Sequence, residues 1–460
     1  MNINPIKRIN SIIEWTQTKL NKKQFIIFSS ILVGLSVGLA AIILKTFVHY
    51  IFIAATFKEL GNFKYFFLVL PIIGIFLTVL VVKKLLHGKL DKGLSHIHYA
   101  IANKSSIVPK DQMYAQILTS SLTVGFGGSA GLEAPIVITG AAIGSNYSKT
   151  YHLNYKERTL LLACGIAAGI GATFNAPIAG VLFALEVLLI DISISAFTPL
   201  IISAATGALI SNIILQDDIL LSFKLQQPFN YNNLPFYILL GLLAGIISVY
   251  HSRAFTKIES LFSKSANKIY LNVVIGGILL AGLLFIFPSL FGEGYQSIKS
   301  LALQQPENLL DNGFFQNYKS NGWFVLIFVG VLIFVKAIAT ALTLGSGGNG
   351  GNFAPSLFVG SYLGFFLSRC LNMLHLTNLP ESNFTIVGMA GILSGLYHAP
   401  LTAIFLIAEI TGGYTLMIPL MIVSSISYAI SKYFESFSMD SKILGQSGKI
   451  FTDDRDHNIL

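Results

Sequence analysis

Long apolar segments separated by short polar stretches dominate the pattern of this chain. The clearest runs are Phe25–Ile43, Phe66–Val82, Phe236–Val249, Val273–Phe287 and Trp323–Leu344. A helix needs about 20 mainly apolar residues to cross a bilayer. The pattern therefore predicts an all-α protein that crosses a membrane several times.

A second class of apolar segment is shorter and rich in glycine and alanine. Ile136–Ile143 and Leu160–Ala172 are of this kind. Small residues let helix backbones approach closely where lipid gives no hydrophobic drive for helix association. We predict helices buried among other helices, or half-helices that do not reach across the membrane.

Composition excludes an ordinary soluble protein. Hydrophobic residues make up 53% of the chain and charged residues 11%, against roughly 25% charged in a typical soluble domain. The two cysteines, Cys164 and Cys370, lie far apart in apolar context and indicate packing, with no disulfide framework.

We attribute the net charge of +9 mostly to basic residues that orient the protein in the membrane. Basic residues precede the first apolar run, at Lys7, Arg8, Lys19, Lys22 and Lys23, and positive flanks favour the cytoplasmic side. No basic stripe interleaved with aromatics indicates nucleic-acid binding. We expect a cytoplasmic N-terminal segment (1–24), a transmembrane domain (25–444) and a short cytoplasmic tail (445–460) in a plasma or inner membrane.

The chain repeats itself. Leu122–Pro135 (LTVGFGGSAGLEAP) aligns with Leu342–Pro355 (LTLGSGGNGGNFAP) at an offset of 220 residues. Gly165–Glu186 then aligns with Gly388–Glu409 at an offset of 223. Two matches in the same order indicate duplication, with halves at about 25–215 and 233–444.

Glycine and proline break the repeated segments, and this points to a transport site. Similar halves with broken apolar segments are the sequence mark of a binding site near the bilayer midplane. A helix N-terminus there presents free N–H groups and a positive dipole end, which suit an anion. GLEAP and GNFAP are therefore predicted to start two helices aimed at one anion from opposite halves.

These motifs resemble those of the CLC family of chloride channels and chloride/proton antiporters. The family's GREGP appears as Gly131-Leu132-Glu133-Ala134-Pro135, with two of five positions changed, and its GxFxP as Gly351-Asn352-Phe353-Ala354-Pro355. The resemblance covers roughly residues 25–444 and is to the bacterial type without C-terminal regulatory domains.

The resemblance implies an inverted repeat of tilted and broken helices, a homodimer in a lipid bilayer, and one pathway per subunit for chloride or a similar small anion. Glu133 matches the external gating glutamate, a carboxylate that competes with the anion and moves when protonated. The other implied pathway positions are Lys92, Gly93, Leu94, Gly131, Leu132, Gly351, Asn352, Phe353, Ala354 and Asp440.

Three positions in the chain depart from the family pattern. A gapless count places Lys92 where the family's GSGIP motif has serine, and Asp440 where it has the coordinating tyrosine. Val187 stands at the inner proton-relay position, just after Glu186. The lost relay favours passive conduction without proton coupling. Lys92 either holds the anion or pairs with Asp440 or Glu133; pairing with Asp440 is our expectation, because an unpaired buried charge is costly. Alternatively, Lys92 snorkels to water.

Rival functions remain open on sequence. A proton-coupled antiporter would need another inner acceptor, with His96 or Asp440 as candidates. Ser129, in Gly127-Gly128-Ser129-Ala130-Gly131, fits the hydrolase motif G-x-S-x-G, but that motif needs a strand–turn–helix. A transport-dead regulatory protein would have Lys92 and Asp440 plugging the pathway.

We expect no enzyme activity, no cofactor and no metal. His96 and His98 are two residues apart and would not share a helix face, so they do not indicate a metal site.

Overall fold

Each of the predicted long apolar runs is largely helical. The computed structural model describes residues 19–56, 66–187, 194–215, 223, 227–311 and 313–442. Within them the regular elements are helices, with one isolated antiparallel bridge between Gly131 and Gly351. The segments expected to flank the domain lie largely outside the described residues.

Sixteen α-helices follow one another along the described chain. The first half contains α1 Lys22–Thr56, α2 Leu70–Lys84, α3 Ser95–Asn103, α4 Gln112–Gly125, α5 Glu133–Thr150, α6 Tyr155–Phe174, α7 Pro177–Glu186 and α8 Ile194–Ile214. The second contains α9 Leu234–Ser263, α10 Ile269–Ile286, α11 Tyr295–Ala302, α12 Gly322–Gly345, α13 Phe353–Met373, α14 Glu381–Tyr397, α15 Pro400–Ile410 and α16 Met417–Phe434. Short 3₁₀ turns lie at Phe66–Leu68, Tyr231–Asn233, Ala266–Lys268, Pro288–Leu290, Pro306–Leu310 and Gln316–Tyr318.

Seven of the described helices are long and apolar enough to cross a membrane: α1, α6, α8, α9, α10, α12 and α16. The predicted run Phe66–Val82 differs from the expectation. It divides into a 3₁₀ turn and the 15-residue α2, which is shorter than a perpendicular span requires. Helices α7 and α15, of 10 and 11 residues, are too short to cross a bilayer.

The repeat glycines hold helix pairs in backbone contact. A Cβ built on Gly140 of α5 would lie 2.3 Å from the carbonyl oxygen of Gly165 in α6. In the second half, a Cβ on Gly360 of α13 would lie 2.3 Å from the carbonyl oxygen of Gly388 in α14. No side chain fits such spacing. The same close approach therefore explains the same residues in both halves.

The two helix breaks are also built alike. Asn175 and His398 end α6 and α14 in the left-handed region, at φ 53° and 55°. Pro177 and Pro400 then occupy the first positions of α7 and α15, where a missing N–H costs nothing.

Each half-helix is capped by a glutamate from the other half. The Glu186 carboxylate accepts the N–H groups of Leu401 and Thr402, at 3.0 and 2.7 Å. Glu409 accepts two N–H groups in the first turn of α7, at 3.0 and 2.8 Å. Both carboxylates complement the positive end of a helix. This reciprocity is what two halves related by an approximate two-fold axis produce.

Candidate functional site

The two predicted helix starts meet at one point. The N–H of Gly131 donates to the carbonyl of Gly351 at 2.8 Å, and the N–H of Gly351 donates back at 2.9 Å. Helix α5 begins two residues after Gly131, and α13 two residues after Gly351. The antiparallel bridge brings the N-termini of α5 and α13 together, one from each half.

Crossed hydrogen bonds fix the two turns that precede these helices. The Ser129 N–H donates to the Thr343 hydroxyl at 3.1 Å, and the Asn349 N–H donates to the Thr123 hydroxyl at 2.9 Å. The Ser129 segment therefore leads from helix to helix and not from strand to helix, so the nucleophile-elbow geometry is absent in this described segment. A shared backbone shape explains the glycines of both motifs.

Glu133 lies at the centre of this arrangement. It is the first residue of α5 and is 1% exposed. One carboxylate oxygen accepts a hydrogen bond from the Tyr295 hydroxyl, and the other accepts the Ala354 N–H at 3.3 Å. The carboxylate thus occupies the N-terminus of α13, a position at which backbone donors and the helix dipole favour an anion.

Charged groups that sequence reasoning missed surround Glu133. Lys45, Glu133 and Glu293 interact electrostatically, and Glu293 also interacts with Lys336. Lys45 donates to the Thr173 carbonyl at 2.5 Å. Lys336 lies inside the apolar run Trp323–Leu344, and Lys45 lies two residues after Phe25–Ile43 in the same long helix. The rule that ionisable groups at membrane depth are functional candidates would have identified both.

Lys336 forms a buried contact with the other half. Its ammonium is fully buried, donates to the Ser129 hydroxyl at 2.8 Å and to the Gly292 carbonyl at 3.3 Å, and lies 4.8 Å from the centre of the Phe358 ring. The lysine and serine are paired as in some hydrolases. Neither side chain, however, lines the cavity described next, and the contact ties α12 to the first-half motif.

A cavity, here called the vestibule, opens beneath the bridge. It has a volume of about 90 Å³ and extends from Lys92, Glu259 and Asp440 to Ala134 and Asn352. One water needs roughly 10–15 Å³ of such volume, so the vestibule has room for an anion with several waters. Charged side chains and residues beside the two helix N-termini line this one cavity.

Lys92 does not pair as expected. Its ammonium donates to the carbonyls of Gly347 and Gly348, at 3.1 and 2.8 Å. The ion pairs among the described residues include none between Lys92 and either Asp440 or Glu133. Both glycines lie in the turn after α12, and their carbonyl oxygens accept hydrogen bonds from the ammonium. Lys92 and Asp440 both line the vestibule.

The remaining predicted pathway residues divide into two groups. Gly93, Gly351 and Asn352 line the vestibule with Lys92 and Asp440. The others are buried and do not line the vestibule: Leu94, Gly131, Leu132, Phe353 and Ala354.

The vestibule contains hydroxyl groups that the gapless count did not identify. Ser95 and Tyr397 line it, and the Tyr397 ring packs against Phe353 with centroids 5.5 Å apart. Neutral hydroxyl donors suit an anion. The vestibule therefore retains hydroxyl groups although positions 92 and 440 carry none. Tyr397 could have been identified from the sequence, because it stands directly before the second helix break.

His98 contacts Val187, the residue that the resemblance places at the inner relay position. The Nε2 atom of His98 is 2.8 Å from the carbonyl oxygen of Val187, and its Nδ1 atom is 3.1 Å from the carbonyl oxygen of Leu94. Only a doubly protonated imidazole donates to both. His96, the candidate acceptor of the sequence analysis, is exposed and faces Asp91 at 3.4 Å.

Comparison with known proteins agrees with this architecture. The family model described as voltage gated chloride channel matches residues 73–432. The chain is 30% identical over 322 residues to the voltage-gated ClC-type chloride channel ClcB of Escherichia coli O81 (strain ED1a), covering 68% of this chain and 71% of ClcB. It is 27% identical over 413 residues to the H(+)/Cl(-) exchange transporter ClcA of Vibrio cholerae serotype O1 (strain M66-2), covering 87% and 84%.

Solved structures share the fold. A slow cyanobacterial Cl⁻/H⁺ antiporter superposes with a TM-score of 0.77 at 21% identity, covering 93% of this chain and 99% of the antiporter. A CLC-type fluoride/proton antiporter superposes with a TM-score of 0.71 at 22% identity, covering 92% and 99%. With the inverted repeat, the paired helix N-termini and the matched family model together, this multi-pass membrane protein belongs to the voltage-gated chloride channel (CLC) family of anion transport proteins.

Proposed function

We propose that this protein transports chloride through the vestibule and past the paired N-termini of α5 and α13, with Glu133 as the gate. The observation that carries the proposal is the position of the Glu133 carboxylate. It accepts the Ala354 N–H and the Tyr295 hydroxyl, so it uses donors that an anion would otherwise use. Relatives named as a chloride channel and an H(+)/Cl(-) exchanger support chloride as the substrate.

Gating follows from charge. An ionised Glu133 competes with chloride for the same positive helix end. A proton taken up by the carboxylate removes that competition, because the neutral acid binds the donors more weakly. Chloride then replaces the side chain, and flux rises as the pH falls.

Glu133→Gln tests the gate. The neutral amide mimics the protonated acid, so chloride efflux from proteoliposomes with valinomycin should rise at pH 7 and lose most of its pH dependence. Glu307→Gln, at an exposed position, is the matched control and should behave as wild type. A pH dependence that is unchanged in Glu133→Gln contradicts the gate, and absence of flux from every form supports the transport-dead alternative.

Passive conduction is the first proposal for coupling. Val187 offers no proton acceptor at the inner relay position, and the neighbouring Glu186 is engaged in capping α15. Chloride should then move electrogenically without countertransport of protons. A proton gradient that drives chloride uphill in liposomes would show that this proposal is wrong.

Proton-coupled exchange is the second candidate, and the position of His98 favours it. The imidazole contacts the Val187 carbonyl, and histidine is the side chain whose ordinary pKa lies nearest neutral. Burial lowers the pKa of His98, and its bonds to the Val187 and Leu94 carbonyls oppose that shift. If exchange is observed, His98→Gln should abolish proton movement while chloride still moves. The matched control is His96→Gln, on the exposed side of the same helix. Equal proton flux in both variants contradicts the assignment.

The resemblance also leads us to propose a homodimer in a cell membrane, with both chain ends in the cytoplasm. Each chain contains both halves of the paired helix ends, so each subunit would have its own pathway. Light scattering of the detergent-solubilised protein tests the dimer; a mass of one chain would contradict it.

A further inference from the structure

Three charged side chains from separate parts of the chain line the vestibule. Lys92 comes from the segment between α2 and α3, Glu259 from α9, and Asp440 from the segment after α16. Lys92 interacts electrostatically with Glu259, and Glu259 with Asp440. The other titratable group that faces the cavity is Tyr397 of α14.

This charge set does not suit an anion when every group is ionised. Two carboxylates and one ammonium give a net charge of −1, and a chloride ion would make it −2. Like charges in a small, partly desolvated cavity repel strongly. Two carboxylates that share one site do not both ionise readily, and one of them holds a proton.

Lys92 leaves the acid pair partly unneutralised. Two of its three N–H donors are used by the carbonyls of Gly347 and Gly348. In the described part of the chain, neither Glu259 nor Asp440 lies within 4.0 Å of the ammonium as an ion pair. A proton from solution is the charge that remains to balance an entering anion.

We propose that Glu259 and Asp440 form a second protonation site, distinct from Glu133, at which uptake of one proton by the acid pair admits chloride to the vestibule. The proton comes from the water that fills the vestibule and returns there when the anion leaves. Lys92 is the fixed counter-charge that sets how readily the pair takes the proton. The inference rests on the proposed chloride transport and adds a second pH-dependent step to it.

The test uses Glu133→Gln as the background, because that change removes the pH dependence of the gate. Chloride efflux is measured from pH 5 to pH 8. The background should keep a residual dependence, with flux falling about tenfold between pH 5 and pH 8. Adding Glu259→Gln or Asp440→Asn should reduce that fall to less than twofold, because the carboxylate that remains no longer has a like charge beside it.

Lys92→Gln in the same background should move the midpoint of the residual pH dependence and should not abolish that dependence. Without the ammonium the acid pair takes up its proton more readily, so the midpoint of the residual dependence should move to higher pH by about one unit. Glu307→Gln is the control for a change of charge outside the vestibule and should leave the profile in place. Efflux at pH 5 shows that each variant is folded and active.

Failure of this inference is distinguishable from failure of the proposed function. A background with strong flux but no residual pH dependence, or with a dependence that Glu259→Gln and Asp440→Asn leave unchanged, overturns the second site and retains chloride transport. A movement of the midpoint in the same direction by Lys92→Gln and Glu259→Gln also overturns it. No chloride flux in the Glu133→Gln background or in wild type overturns the proposed function itself.

Discussion

Tyr295 offers a sharp test of how Glu133 is held. Its hydroxyl donates to the Glu133 carboxylate, while its ring packs edge-on against Phe174 with centroids 6.5 Å apart. Tyr295→Phe removes the donor and keeps the ring. The closed position of the gate should therefore lose one hydrogen bond without a loss of packing.

The size of the effect follows from the kind of bond removed. A hydrogen bond to a charged group contributes about 1.5–3 kcal/mol, and the Ala354 N–H remains as the second donor to Glu133. A loss at the lower end corresponds to about tenfold in the gating equilibrium. Because the lost donor stabilised the ionised carboxylate more than the neutral acid, protonation should open the gate at a pH up to about one unit higher, and flux at pH 7 should rise several-fold.

Chloride efflux from proteoliposomes, measured from pH 4.5 to pH 8, tests this expectation. Tyr250→Phe is the matched control: it removes a hydroxyl that donates to the Phe334 carbonyl at 3.3 Å, away from Glu133. Its profile should coincide with that of wild type. If Tyr295→Phe also coincides with wild type while Glu133→Gln does not, Tyr295 has no part in holding the gate closed.

Two further predictions concern stability, measured as thermal unfolding in detergent. Gly140→Ala should lower the unfolding temperature by several degrees, because its Cβ would lie 2.3 Å from the Gly165 carbonyl oxygen. Gly282→Ala is the control: a Cβ there would have nothing within 4 Å, so the unfolding temperature should stay unchanged or rise. Equal effects of the two substitutions would contradict the close contact at Gly140. Glu186→Ala and Glu409→Ala should each cost about 1–2 kcal/mol as lost helix caps, and a large cost from only one of them would contradict the reciprocal arrangement.

Apolar run length and the internal repeat determined the architecture from sequence alone. In lipid, backbone polar groups must be satisfied within the segment, so long apolar runs can only be helices. The repeat then predicted that α5 and α13 begin at equivalent positions, and both begin where the motifs place them, at Glu133 and Phe353. These features depend on local pattern, and a local pattern is visible in a sequence.

Only the tertiary structure decided which charged groups meet. Lys92 donates to the carbonyls of Gly347 and Gly348, and not to Asp440, because tertiary packing brings the turn after α12 beside it. Glu133 accepts a hydrogen bond from Tyr295, 162 residues away, and Glu259 and Asp440 line the same cavity. A gapless count along the chain gives positions relative to a motif, but the partner of a buried charge is set by packing between distant helices.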